Sequence, residues 1–155
     1  MRHLVLTGFM GAGKSSAAVR LAKSLGREAV DTDAQLERQF GMSIPSYFDR
    51  HGEDAFREAE QKLVAQVLAD SRPAVIALGG GALQSAKTRK ALAKHLVVYL
   101  QLDAAAAWAR VRNSKRPLAR DEDAFNALYA ERAPVYEDCA DAIVASSGST
   151  TMRES

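Results

Sequence analysis

The chain has 155 residues, about one domain's worth, and at that length roughly 68–70% of the unfolded surface can be buried in one core. Its 47% hydrophobic and 26% charged residues exclude disordered, collagen-like and membrane-embedded classes. Lys and Arg number 21 against 19 Asp and Glu, a net charge of +2, too small a field to dominate nucleic-acid binding, so an anion site must come from local placement.

Short apolar runs alternate with stretches of helical period, the pattern of an α/β chain with a largely parallel sheet. His3 to Thr7 reads as the first strand. Ala18, Leu21, Ala22 and Leu25, spaced i, i+3, i+4, i+7, read as a helix that ends at Gly26. Glu28 to Asp31 is a second short strand, and a helix runs from Ala34 to Phe40. Between Gly41 and Asp70 the pattern predicts two helices broken at Gly52, with Phe56, Leu63, Val64 and Leu68 on one apolar face. Ala74 to Leu78 shows no polar alternation and suits a strand covered on both faces. A helix over Ser85 to Lys94, a strand over Leu96 to Leu100 and a helix over Ala104 to Val111 follow. Arg112 to Asp123 mixes charge, Pro and Asn without period and reads as a loop, with a helix from Phe125 to Ala133 stopped by Pro134. Asp141 to Ala145 is the last strand expected, and residues 146–155 read as a polar tail. Residues 1–155 thus form a single domain, with no internal repeat.

Cys139 is the one cysteine and cannot close an intramolecular disulfide, as suits the cytoplasm. No apolar run approaches the ~20 residues of a membrane span, and Leu4-Val5-Leu6 is too short for a signal-peptide core, so neither membrane nor export is expected. His3, His51 and His95 have no metal-ligand spacing and, like Cys139, are given structural roles.

Gly8-Phe9-Met10-Gly11-Ala12-Gly13-Lys14-Ser15 matches G-x-x-x-x-G-K-[ST] between a strand and a helix, where that pattern has physical meaning. Glycines without Cβ let successive backbone N–H groups turn inward around a phosphate, and the following helix points its N-terminal dipole at the same anion. Gly11, Ala12, Gly13, Lys14, Ser15 and Ser16 are accordingly assigned to a nucleoside triphosphate, with Lys14 at the terminal phosphates and the Ser15 hydroxyl on Mg²⁺.

Other residues converge on phosphoryl transfer. Asp31 and Asp33 are two apart at a strand end, so an extended backbone would send both carboxylates to one face. Asp31, nearer the strand, is the candidate for Mg²⁺, because no acid follows Ala74–Leu78 where one often stands in nucleotide-binding folds. Asp33 would hold acceptor hydroxyls and orient the attacking one; its alternative is a helix N-cap. Arg57 stands three residues before Glu60, which could hold its guanidinium as a fork for a carboxylate; the alternative is a solvated helix pair. Gly79, Gly80 and Gly81 after a buried strand would allow a ligand close approach at the carboxyl end of the sheet. Arg116 in the charged loop could reach phosphates as negative charge spreads in the transition state. Arg132, by itself, reads as a charge near a helix C-terminus.

Together, Asp31-Thr32-Asp33, Phe56-Arg57, Gly79-Gly80-Gly81, Arg116-Pro117-Leu118 and Arg132-Ala133-Pro134, in this order behind the phosphate loop, resemble the shikimate kinases from about Leu4 to Val144. The resemblance implies an α/β P-loop fold of the nucleoside-monophosphate-kinase type, with a five-stranded parallel sheet, a substrate-binding helical region and a lid at about 112–123. It implies Mg²⁺-dependent transfer of the γ-phosphoryl of ATP to the 3-hydroxyl of shikimate, a step in the biosynthesis of chorismate and the aromatic amino acids. By the same resemblance Arg57 and Arg132 bind the shikimate carboxylate, Gly80 contacts shikimate, and Arg110, or its neighbour Arg112, stacks on adenine. Lys14, Asp33 and Arg116 are then the catalytic set. ATP, shikimate and one Mg²⁺ are the expected partners, in a monomer. The segment between Arg116 and Arg132 is several residues shorter than is usual in the family, and after Val144 a short tail stands in place of a final amphipathic helix. The alternatives are a gluconate kinase or other small-metabolite kinase, or a nucleotide-binding pseudoenzyme.

Overall fold

The computed structural model describes residues 2–112, 121–145 and 150–152. Five strands, β1 (Leu4–Thr7), β2 (Glu28–Asp31), β3 (Ala74–Ala77), β4 (Leu96–Gln101) and β5 (Ala142–Ala145), lie parallel in the order β2-β3-β1-β4-β5. The expected five-stranded parallel sheet is present. All four residues of β3 are buried, as its unbroken apolar run requires.

One strand lies outside that expectation. Thr150–Met152, in the stretch read as a polar tail, forms β6, which pairs antiparallel with β5 through Ile143 opposite Thr151 and makes the sheet six-stranded. The open β5 edge supplies the backbone partners that a tail viewed in isolation lacks.

The helices are α1 (Lys14–Leu25), α2 (Thr32–Phe40), α3 (Ile44–Ala69), α4 (Ala86–Leu92), α5 (Ala104–Val111) and α6 (Glu122–Cys139), with a 3₁₀ turn at Ala82–Gln84. The break expected in α3 is present: Gly52 has φ 84° and ψ 170°, so two helices meet there at a kink. Helix α6 corrects the stop placed before Pro134. It continues to Cys139, although Pro134 cannot donate to the carbonyl of Ala130, because Phe125 near its start and Tyr136 beyond the proline are both buried against the core. Its first turn also takes residues 122 and 123 from the expected loop, capped by Asp121, whose carboxylate accepts from the Ala124 N–H at 3.0 Å. The rest of the expected lid, 113–120 with Arg116, lies outside the described residues.

The core has two faces. Val5, Ile76, Leu78, Tyr99, Phe125 and Tyr136 belong to the larger cluster, and Leu6, Ala18, Ala22, Val75 and Ala77 pack under α1. Among the described residues no helix is long and apolar enough to cross a membrane. Strand order reverses about β1, where consecutive connections leave on opposite sides of the sheet and open a crevice at the strands' carboxyl ends.

Candidate active site

A cleft of about 670 Å³ occupies that crevice. The loop from Phe9 to Ser16 forms one end, and Arg57, Glu60 and Arg132 stand among the residues of its wall with Asp31 and Asp33. Sequence positions from 9 to 132 are thus gathered into one cavity.

In the phosphate loop Gly13 caps α1 at φ 86° in the left-handed region, a conformation that glycine adopts without the Cβ penalty. The Lys14 ammonium donates to the Gly8 carbonyl and, at 3.4 Å, to that of Phe9. Arg110 reaches the loop from α5, its Nη1 donating to the Gly11 carbonyl at 2.9 Å. Arg110 therefore stands at the phosphate-loop end of the cleft.

Asp31 does two things at once. Its Oδ1 accepts from the Ala34 N–H at 3.1 Å and so caps α2, while its Oδ2 accepts from the Ser15 hydroxyl at 2.6 Å. The cap weighed for Asp33 thus belongs to Asp31, because α2 starts at Thr32, two residues earlier than the apolar pattern implied. The backbone is not extended through Asp33, yet the first helical turn still leaves both carboxylates on the cleft. Thr32 between them is fully buried. Its hydroxyl donates to the Ala77 carbonyl at 3.4 Å and accepts from the Gly79 N–H at 3.1 Å, tying the start of α2 to the glycine run.

The pair Ser15 and Asp31 suits Mg²⁺: a hydroxyl and a carboxylate oxygen already within 2.6 Å of each other on the cleft wall are hard oxygen donors at one point. No group of three or more His, Cys, Asp or Glu fit to hold a metal occurs among the described residues, so the ion would draw its remaining ligands from phosphate oxygens and water.

The glycine run serves close approach. A Cβ on Gly79 would lie 2.6 Å from Asp33 Oδ1, and a Cβ on Gly81 would lie 2.6 Å from Arg57 Nη2 and 2.7 Å from its Cζ. Gly80 and Gly81 line the cleft, while Gly79 lies behind, against Asp33. The two outer glycines thus let a carboxylate and a guanidinium rest directly on the backbone.

Arg57 Nη1 donates to Glu60 Oε1 at 2.8 Å. Glu60 is 3% exposed, and burial raises its carboxyl above the usual range against the opposing pull of Arg57. The Nε atoms of Arg57 and Arg132 are buried without hydrogen-bond partners, so two guanidinium groups at this end of the cleft retain donors. Phe48, Phe56, Ile44 and Pro45 supply an apolar wall beside them. Sequence reasoning passed over that wall, although Phe48 and Phe56 sit eight apart across Gly52 with rings 4.7 Å apart. It also passed over Tyr136, whose hydroxyl donates to the Gly80 carbonyl. Its spacing i+4 from Arg132 is a usable signal only if the helix runs through Pro134.

Comparison with known proteins agrees with this geometry. A family profile described as shikimate kinase matches residues 10–154. The shikimate kinase of Thermobifida fusca is 43% identical over 149 residues, covering 94% of this chain and 86% of that protein. That of Ruegeria pomeroyi is 39% identical over 158 residues, covering 99% and 80%. Among solved structures, shikimate kinase from Acinetobacter baumannii in complex with shikimate superimposes with a TM-score of 0.87 at 31% identity, over 100% of this chain and 86% of that one. A gluconokinase from Sinorhizobium meliloti reaches a TM-score of 0.51 at 16% identity, a likeness of fold alone. With nearly its whole length matched at this level, the chain belongs to the shikimate kinase family.

Proposed function

We propose that this protein transfers the γ-phosphoryl group of ATP to the 3-hydroxyl of shikimate, giving shikimate 3-phosphate and ADP on the route to chorismate and the aromatic amino acids. The observation that carries the proposal is the pair Arg57 and Arg132, each with a buried Nε lacking a hydrogen-bond partner, in the same cleft as the phosphate loop. A guanidinium offers a carboxylate two parallel N–H bonds, and two of them fix one planar acid in place.

The chemistry follows from the placement. The loop N–H groups and Lys14 hold the β- and γ-phosphates. Ser15 and Asp31 would hold Mg²⁺, which would supply positive charge to offset that on the phosphate oxygens. The acid clamped by Arg57 and Arg132 presents a ring hydroxyl to Asp33, which orients it in line with the γ-phosphorus and receives its proton as the new P–O bond forms and the bond to the ADP oxygen breaks. Arg116 is assigned to the transferring phosphoryl group on its sequence motif, and Arg110 to the adenine side.

The apolar wall of Phe48, Phe56, Ile44 and Pro45 favours a carbocyclic acid over an open-chain polyol such as gluconate, whose every carbon carries a polar group. The enzyme works as a cytoplasmic monomer in this reading. ADP release measured with shikimate, with gluconate and with no acceptor tests it. Turnover with shikimate alone is expected; turnover with gluconate, or none with either acid, overturns the assignment.

A further inference from the structure

Tyr136 belongs to none of the motifs that mark the family reading, yet it joins two parts of the acid end of the cleft. Its hydroxyl donates to the carbonyl of Gly80, and the Arg132 guanidinium lies close enough to act on that phenol electrostatically. The two groups converge on Gly80: a Cβ placed there would lie 3.6 Å from Tyr136 Oη and 3.8 Å from Arg132 Nη1. Tyr136 is 2% exposed, and its ring lies 5.2 Å from that of Tyr99 on β4, itself buried, so the phenol is anchored to the centre of the sheet.

A phenol has one proton and two lone pairs. The proton is committed to Gly80, so the oxygen faces Arg132 as an acceptor only. Burial, the main cause, pushes the phenol up to about 12, so it keeps its proton at neutral pH. Arg132 therefore has beside it a fixed neutral acceptor that does not neutralise its charge.

We propose that Tyr136 is a positioning residue that orients Arg132 toward the carboxylate of the acceptor and locks the Gly80 carbonyl beside it. The inference rests on the assignment of Arg132 to the acid substrate.

Tyr136→Phe keeps the ring and removes the hydroxyl. Losing the acceptor beside a charged group predicts a KM for shikimate raised on the order of tenfold or more. The KM for ATP should hold, and kcat at saturating acid should change far less than the shikimate KM. The effect should vanish with an acceptor whose carboxylate is reduced to an alcohol, and on an Arg132→Ala background, where no guanidinium remains to orient. An unchanged shikimate KM, or an equal rise for the alcohol acceptor, overturns the proposal. If Tyr136→Phe does not fold, 3-fluorotyrosine at position 136, a weaker acceptor, replaces it; it should raise the KM for shikimate and not for ATP, and an unmoved shikimate KM again overturns the inference. The unsubstituted protein, run alongside, separates the two readings: if it turns over shikimate, a failure belongs to Tyr136 alone, and if it does not, the family reaction itself is lost.

Discussion

The Ser15 hydroxyl donates to Asp31 Oδ2 at 2.6 Å, joining the phosphate loop to the end of β2 across sixteen positions of sequence. Because the other Asp31 oxygen caps α2, the carboxylate is held from both sides.

That arrangement gives the two acids different behaviour. Asp31→Asn keeps the shape and the cap but weakens attraction for the cation, so raising Mg²⁺ should restore part of the lost activity. Asp33→Asn acts on the acceptor and should depress kcat and shikimate affinity with little rescue by Mg²⁺. Measuring kcat and shikimate KM against Mg²⁺ for both variants decides the matter. The same metal dependence in each would show that the division of labour is wrong.

Glycine-to-alanine changes test the floor of the cleft. The atoms that a new methyl group would meet at Gly79 and Gly81 are the ends of the Asp33, Glu60 and Arg57 side chains, which can move, so the fold should survive both substitutions. Displaced reacting or clamping groups should still cost on the order of 10²-fold in kcat/KM for shikimate. Circular dichroism with a steady-state assay separates the two effects. Full activity in Gly81→Ala would mean that Arg57 needs no contact with that backbone.

Glu60 sets an acid limb. Its carboxyl is raised by burial, so the folded chain binds this proton more readily than the unfolded chain does. Stability from this group is therefore present at low pH and is lost as pH rises through the folded value. Substrate binding has the opposite sign: protonation loosens Arg57, so shikimate affinity should fall as pH drops, beginning above the ordinary 4.5. Glu60→Gln should bind weakly throughout and lack this limb in a plot of KM against pH. Arg57→Ala should weaken acid binding by about 2–5 kcal/mol. A limb retained in Glu60→Gln assigns it to another group.

At the opposite end of the sheet, His95 Nδ1 accepts from the His3 N–H at 3.1 Å, and His3 is buried with its ring between the Ala74 N–H and the Asp70 carbonyl. Burial, then the charges of His3 and Lys94, lower the His95 value below 6.5. The folded chain holds fewer protons here, so the contribution is complete above pH 6.5 and is lost as pH falls through the folded value. Urea unfolding of the wild type between pH 7.5 and 5.5 should show this decline, and His95→Asn, with an amide oxygen in place of Nδ1, should flatten it. Equal slopes would remove His95 as the cause.

The parallel sheet was legible because unbroken apolar runs such as Ala74–Leu78 fit only doubly covered strands, and the phosphate loop because glycine, lysine and serine at fixed spacing have one physical use between a strand and a helix. Arg57 beside Glu60 was legible from helical spacing. These are local properties, set by backbone period and neighbouring residues.

What only the tertiary structure decided was the outcome of competition between distant groups. The continuation of α6 through Pro134 depends on burying Tyr136 at the far side of the proline, and the strand at Thr150–Met152 depends on an unpaired β5 edge. The division between Asp31 as cap and Asp33 as cleft carboxylate follows from where α2 begins. Arg132 gave no sign of a partner in its own neighbourhood that the helix C-terminus did not explain as well. Folding brings it beside Gly80, more than fifty positions away, on the buried hydroxyl of Tyr136, because cost and gain at such a contact are settled by burial, which sequence spacing does not encode.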